Sequence, residues 1–566
     1  MKQLLSLLLC VLLLAGCDSD PVTEISPATT APEAETLPPA APEPNFQNHV
    51  SRFDSETIIS LSDEGITING GEETDAVFIS HDIIYYEDRD SYSSGNPYGE
   101  GEDWERHTAE EAAAHTVVNI TAPGAYRLSG SLSAGQIRID LGSTAYENPD
   151  AVVELILDGV DISCTVAPAI LFLNTYECDG MWSVSAATAQ VDTSAAGANL
   201  ILEGNNTVSG SHVAKIYKDS EGEKKLWKQD GAIYAYMSMN VWGSGSLALT
   251  ADNEGLDTEL HLTVNGGDIT IRSGNDGINT NEDGVSVTTI NGGILTILAG
   301  LGAEGDGIDS NGFLVINGGI VTAFANPGAD AGMDADLGSY IHGGTVIALG
   351  STMDWAESDS KQVTMNLQFA SQQRAGSEIK ITTQDGMEVF SFTPEGEHLR
   401  PFSGMILSSP ALTQGETYHI FIDDTQMVYA GTDVMQGPGG FGGHPGGMPG
   451  NFDPENIPEG FEPGQMPEGF DTENPPEGFD PFRMGSPGQR PEGMTPPEGF
   501  DGEMPAIPEG MERPGLSEGE TFPQGELPEM PQGGFGSRGN SSSGKSSTDF
   551  YMNDMVNFFS GVSSVA

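Results

Sequence analysis

Positive charge is scarce in this chain: 21 Lys and Arg stand against 84 Asp and Glu, a formal net charge of −63. Nucleic acid is excluded as a partner, because binding phosphates needs a cationic track. A bare anionic polymer is repelled as well unless a divalent cation lies between. Excess acid also serves plain solubility, and that reading covers much of the C-terminal region. Between Gln229 and Ser360 the one Lys or Arg is Arg272. Cysteine is nearly absent, with only Cys10, Cys17, Cys164 and Cys178, and no Cys/His cluster has zinc spacing. No stretch beyond Leu14 is apolar for long enough to span a bilayer. A nucleophile elbow, a P-loop and a zinc-protease motif are all missing, which removes the usual catalytic constellations.

What is present begins with the export signal. Lys2 precedes a run from Leu4 to Leu14 that is apolar except for Ser6, and the run ends in Leu14-Ala15-Gly16-Cys17. Small residues followed by Cys resemble the bacterial lipobox, in which the chain is cut before the Cys and the thiol is acylated. The expectation is a signal peptide over 1–16, lipidation at Cys17 and an extracytoplasmic protein that meets the membrane through lipid only. Cys164 and Cys178 then face an oxidising compartment and either bridge or remain buried thiols. Residues 17–45, rich in Pro, Ala, Thr and Glu, read as a disordered tether. Residues 437–566 read as a low-complexity tail in which Pro-Glu-Gly-Phe recurs at Pro458, Pro467, Pro476 and Pro497. Pro and Gly at this density oppose a packed core. The tail is a spacer, or its Phe and Met residues dock a surface-protein partner. The aromatic cluster from Asp549 to Phe559 predicts a short helix.

The folded part lies between, and it repeats. Asn-Gly-Gly at Asn265, Asn291 and Asn317 and its variant at His342 are spaced 26, 26 and 25 residues apart, each followed by a short β-rich run. A second turn is interleaved: Glu254-Gly255-Leu256-Asp257, Asp276-Gly277-Ile278-Asn279, Asp306-Gly307-Ile308-Asp309 and Ala331-Gly332-Met333-Asp334. A fixed period in the twenties with strands and Gly turns signals stacked coils. The fold class predicted is all-β, a right-handed parallel β-helix with a C-terminal β cap and disordered tails. Alternate residues such as Ile269 and Ile271 point inward, and stacked Asn residues form amide ladders. The divisions expected are an N-terminal β segment or cap over 46–116, the β-helix over 117–350 and the cap over 351–436.

Chemistry concentrates on the acidic turns. Equivalent positions of a stacked coil repeat every ~4.8 Å, so Glu254, Asp257, Asp276, Asn279, Asp283, Asp306, Asp309, Asp334 and Asp336 form a column that repels itself unless neutralised. Hard oxygen ligands at that spacing suit Ca²⁺; the competing reading is that Asp and Asn simply form turns. Asn279 to Gly284 is like the start of an EF-hand loop, but its twelfth position is Ile290 rather than Glu. For carbohydrate, the candidates are Tyr234 and Tyr236, two apart on one strand face, with Trp242 and Arg272. A basic insertion holding Lys215, Lys218, Lys224, Lys225, Trp227 and Lys228 reads as a solvated loop or as an arm reaching an anionic sugar.

Several separate segments then resemble one family in order: Leu155-Ile156-Leu157-Asp158-Gly159-Val160-Asp161-Ile162, Asp306-Gly307-Ile308-Asp309-Ser310-Asn311-Gly312 leading to Ile316-Asn317-Gly318-Gly319, and Leu407-Ser408-Ser409-Pro410-Ala411-Leu412 before Gly415-Glu416-Thr417-Tyr418. The chain from about Val117 to Asp424 resembles the calcium-binding right-handed β-helix family of clostridial cellulose- and pectate-binding proteins. The resemblance implies a polysaccharide-lyase-like fold, calcium ligands at Asp276, Asp306 and Asp309, and non-catalytic binding of cellulose or acidic plant sugars. Members often carry a basic residue after the Asp-Gly-Ile turn, where this chain has Asn279 or Asp309, and that departure speaks against direct binding of an anionic sugar. Two other classes remain open at this stage. A calcium-dependent polysaccharide lyase of similar fold is opposed by the missing coil lysines, which β-elimination would use. The other is a purely structural envelope protein.

Overall fold

A computed structural model describes residues 46–432 and 546–565, apart from 48, 88–97, 100, 181–182, 221–222, 352–353, 395 and 397–398. Cys17, the signal and tether segments, and the repeats of Pro-Glu-Gly-Phe lie outside the described residues. The fold is nearly all β. Among the described residues, helix is confined to Ala109–Ala113 and to single 3₁₀ turns at Asp103–Glu105 and Ala145–Glu147.

Three parallel ladders occupy the middle of the chain. A first ladder runs from Glu56–Leu61 through Gly124–Leu132, Val153–Ser163, Ala198–Glu203, Met239–Gly243, Leu262–Val264, Val287–Ile290 and Phe313–Ile316 to Gly338–Ile341. A second continues from the end of Val153–Ser163 through Asn205–Gly210, Ser246–Ala251, Asp268–Ser273, Ile294–Leu298 and Ile320–Phe324 to Thr345–Gly350. The third joins Thr116–Ile120, Gly135–Asp140, Ile170–Asn174, Gly231–Ala235, Glu254–Thr258, Ile278–Thr280 and Ile308–Ser310. From Glu254 onward the chain visits third, first and second ladder in turn and starts again. The register is that of the sequence repeat: Asp268 faces Ile294, Ile294 faces Ile320, and Ile320 faces Thr345.

The two glycine motifs have separate physical causes. The second Gly of each Asn-Gly-Gly turn has a positive φ, +96° at Gly267, +93° at Gly293, +83° at Gly319 and +85° at Gly344, a conformation a Cβ disfavours. The Gly after each acidic turn residue is a close approach. A Cβ on Gly277 would lie 2.1 Å from Ile297 Cγ2 and 2.6 Å from Gly307 O of the next repeat. Between these turns, Ile269, Leu295, Val321 and Val346 stack inward from the second ladder, and Val264, Ile290, Ile316 and Ile341 from the first. All belong to one apolar core lined by all three ladders.

Both ends of the ladders are closed by antiparallel strands. Val77–Ser80 covers Thr116–Ile120 at the start. At the other end Phe402–Ser408 pairs antiparallel with Thr345–Gly350 and with Thr364–Gln373, beside a sheet of Ile379–Thr383, Glu388–Phe392, Thr417–Ile422 and Thr425–Val428. The cap does not stop near residue 436. Phe550–Tyr551 pairs with Thr417–Ile422, and Val556–Ser564 lies parallel to Thr364–Gln373 and antiparallel to Thr425–Val428. This corrects two expectations: Asp549–Phe559 holds the strand Phe550–Tyr551 and the start of Val556–Ser564 rather than a helix, and the chain to residue 566 is not all low-complexity tail. The reason is burial, since Phe550, Met552, Phe559 and Val562 are at most 2% exposed in the cap's own apolar cluster. Cys164 and Cys178 are both free thiols, so the bridge is not formed.

Candidate functional site

The acidic turns stack at the entry to each rung of the third ladder. Asp257 faces Asn279, which faces Asp309, and backbone bonds from Ser310 N to Asp334 O (3.1 Å) and from Asp334 N to Ile308 O (2.8 Å) extend the row. Three residues earlier a second row forms. Gly255 N donates to Asp276 O and Gly277 N to Asp306 O, each at 3.0 Å, which puts Glu254, Asp276 and Asp306 one above another. Side chains tie this row together: Asp306 N donates to Asp276 Oδ1 at 2.6 Å and Ala331 N to Asp306 Oδ1 at 2.5 Å. Glu254, Asp257, Asp276 and Asn279 are all buried. Asp306, Asp309 and Asp334 are half-buried, whereas Asp283 and Asp336 are exposed at the margin, Asp283 accepting from Asn311 Nδ2 at 3.0 Å.

The tightest cluster is at the start of the rows. Asp230, Glu254 and Asp257 each offer a carboxylate oxygen within 4.8 Å of the others. Glu254 Oε2, Asp257 Oδ2 and the amide oxygen of Asn279 are buried with no hydrogen-bond partner, an arrangement that costs free energy in a dry interior. Lys228, one end of the basic insertion, enters this cluster. Its Nζ lies 3.0 Å from Asp230 Oδ2 and donates to Asn281 Oδ1 at 2.9 Å, while Asn281 Nδ2 donates to Asp257 Oδ1 at 2.6 Å. The insertion itself is an antiparallel hairpin, Val213–Ser220 with Glu223–Gln229.

Burial pushes the carboxyl groups up. Asp306 rises to about 8 through desolvation and then the charge of Asp334, and Asp354 to about 7 through desolvation and Asp334. Asp257 and Asp276 are raised well above the carboxylate range by desolvation and then Glu254. Asp309 and Asp334 are raised by desolvation first, with Asp334 and Asp336 as the respective next causes. An undressed row of this kind holds protons at neutral pH or takes a cation. Apart from the Lys228 ammonium at the first cluster, the groups of these rows are carboxylate and amide oxygens, the set that suits a hard divalent ion.

The predicted carbohydrate residues separate. Tyr234 is fully buried, its hydroxyl donating to Glu259, so it presents no ring face to a ligand. Tyr236 packs edge-on against it at 5.1 Å and donates to Lys228 O at 2.9 Å. Arg272 is half-buried on the second ladder, between Thr250 and Leu298 in register. Trp242 lies on a concave surface. It lines a groove of about 820 Å³ that follows the first ladder as far as Tyr340 and His342, with residues 189–194 as a wall. Sequence reasoning missed Tyr340, His342 and that wall. The signal was available in the repeat, since residues two before each Asn-Gly-Gly position and the Asn itself share one strand face.

Residues 114–388 match a family described as carbohydrate-binding domain-containing protein. The chain is similar to carbohydrate-binding proteins. A relative from Acetivibrio thermocellus with the same description is 28% identical over 157 residues, 28% of this chain and 45% of the relative, so the match spans less than half of that protein. Among solved structures, a polysaccharide lyase-like protein from C. thermocellum, determined as a gadolinium derivative, is 19% identical, with 51% of this chain and 93% of that chain covered at a TM-score of 0.28.

Proposed function

We propose that this chain is an exported, non-catalytic carbohydrate-binding lipoprotein, anchored through lipid on Cys17, whose three parallel ladders are the faces of a right-handed parallel β-helix with Ca²⁺ on its acidic turns. The observation that carries the carbohydrate reading is the family match over residues 114–388, which takes in all three ladders except the first strand, Glu56–Leu61. The ligand is a polysaccharide, cellulose or an acidic plant polymer. The cation reading is supported by the unpartnered buried oxygens of Glu254, Asp257 and Asn279. These residues with Asp230, and Asp276, Asp306, Asp309 and Asp334 of the two rows, would hold calcium, which supplies positive charge to turns that otherwise repel.

A lyase needs a base for the sugar proton and cations at its carboxylate. The ladders from Asp230 to Asp359 offer one Arg and no Lys, which supports binding without cleavage. The deciding experiment is retention of the full chain on insoluble cellulose and on pectate, with and without chelator, with assay of the supernatant. Expected are retention, weakened by chelator, and no unsaturated sugar. Unsaturated product would establish a lyase instead, and no retention on either polymer would remove the carbohydrate reading.

A further inference from the structure

The first ladder turns one column of side chains outward in every repeat, and the column is chemically graded. Asn265, Asn291 and Asn317 form an amide ladder: Asn291 Nδ2 donates to Asn265 Oδ1 and Asn317 Nδ2 to Asn291 Oδ1, both at 2.9 Å. Backbone bonds put Trp242 before Asn265 and His342 after Asn317, for Asn265 N donates to Val241 O and His342 N to Ile316 O. Aromatic side chains therefore close both ends of a polar floor. At one end Trp242 donates from Nε1 to Asn199 Oδ1 at 3.2 Å, and its ring lies 5.4 Å from that of His49. At the other, Tyr340 lies 6.2 Å from His342 and 6.4 Å from Phe313. From Trp242 to His342 is four repeat steps, roughly 19 Å at ~4.8 Å each.

The wall is built as well as the floor. Thr193 is 4% exposed, and its hydroxyl lies 2.8 Å from Asn240 Oδ1 and 2.7 Å from Thr263 Oγ1, while Asn240 Nδ2 donates to Thr193 O at 2.8 Å. The segment over 189–194 is thus fastened to the strands it overhangs, and the groove between them is lined by floor and wall together. Fixed side chains lose little rotamer freedom when a ligand arrives.

We propose that this groove is the glycan-binding site, holding one extended, uncharged chain along the first ladder with sugar faces on Trp242 and Tyr340 and sugar hydroxyls on the amide ladder. The inference rests on the carbohydrate-binding function proposed above and adds the place and the class. Amide and hydroxyl groups both donate and accept, as sugar hydroxyls do. An aromatic ring offers an apolar face to the C–H side of a sugar. The lining holds Asp192 and Asp359 against a single Lys or Arg, Lys361, which disfavours a chain of uronates. His342 does not offset this, because burial and Lys361 lower its pKa and keep it neutral.

The test is depletion binding of the full chain to insoluble cellulose, an uncharged chain, and to polygalacturonate, a charged one. The same measurement is made on Trp242→Ala and Tyr340→Ala, with melting temperatures alongside. Tyr340 is the control on folding, because its ring is half-exposed on the outward column of the first ladder. Expected are preference for cellulose and at least a tenfold loss in each variant, at unchanged melting temperature in Tyr340→Ala. Wild-type binding that survives both substitutions overturns the site while leaving the function standing. Preference for polygalacturonate overturns the class. Absence of binding to either polymer overturns the function and the inference with it.

Discussion

Asp306 sits beneath the next repeat with its carboxylate accepting the Ala331 N–H, and burial holds its pKa near 8. The unfolded chain loses that proton near roughly pH 4. The metal-free folded state therefore binds more protons across this interval, and stability falls as pH rises from roughly 4 toward about 8. Asp309 shifts in the same direction for the same first cause. A calcium ion would reverse the penalty by making the ionised form the favoured one. Replacing Asp306 and Asp309 together with Asn separates the two readings, since Asn is an acceptable turn former. In chelator the double variant is expected to melt higher than wild type at about pH 8 and to show a flatter pH profile. In excess calcium it is expected to melt lower, by a few degrees. Calorimetry in both buffers is the check, and a variant that is neutral or stabilised in both would show that these residues only turn the chain. The positions of these carboxylates were legible from the interleaved turns. The entry of Lys228 was not, because Asp230, Asp257 and Asn281 meet it from different repeats and no local pattern brings them together.

At the scale of elements, the ladder register could be read from the sequence because Asn-Gly-Gly marks the same backbone position in each repeat. The amide ladder of Asn265, Asn291 and Asn317 follows from that spacing directly. The last strand of the cap could not be read in the same way. Val556–Ser564 follows a long Pro- and Gly-rich stretch, belongs to no repeat, and shows its partner only in the folded cap, beside Thr364–Gln373. Its segment nonetheless contributes four side chains that are at most 2% exposed, Phe550, Met552, Phe559 and Val562. At ~1.5–3 kcal/mol for each large apolar side chain, their loss is comparable with the roughly 5–15 kcal/mol that stabilises a whole domain. Removing residues 437–566 is therefore expected to lower the melting temperature severely or to yield insoluble protein. Removing only 437–545 is expected to leave it almost unchanged. The ends of that excursion already meet, Tyr429 N donating to Ser547 O at 3.0 Å and Ser547 N to Tyr429 O at 3.1 Å. Thermal melts of the two deletions decide the matter: equal stability of both would mean that the final strand adds nothing to the cap.

For the molecule as a whole the question is how a chain of net charge −63 tolerates rows of buried carboxyls. Two remedies act over different ranges. Simple salt screens exposed charges beyond roughly 8–10 Å at physiological ionic strength, and any cation of the same valence does so equally. A bound ion acts at one place and depends on fit. Mg²⁺ demands near-octahedral geometry at ~2.0–2.1 Å and gives up water reluctantly, whereas Ca²⁺ accepts six to eight oxygens in a loose shell. The unpartnered oxygens of Glu254, Asp257 and Asn279 stand on neighbouring rungs of the third ladder, a spread that the looser calcium shell accommodates more readily than the magnesium octahedron. Titrating the chelated, dialysed protein with NaCl, MgCl₂ and CaCl₂ at matched ionic strength is therefore expected to give a modest common rise in melting temperature. Calcium is expected to add a further, saturable rise. A single site at a hundredfold excess over Kd contributes about 2.7 kcal/mol, well above the scatter of a melt. If the magnesium and calcium curves coincide, general screening accounts for the whole effect and the acidic rows hold protons rather than metal.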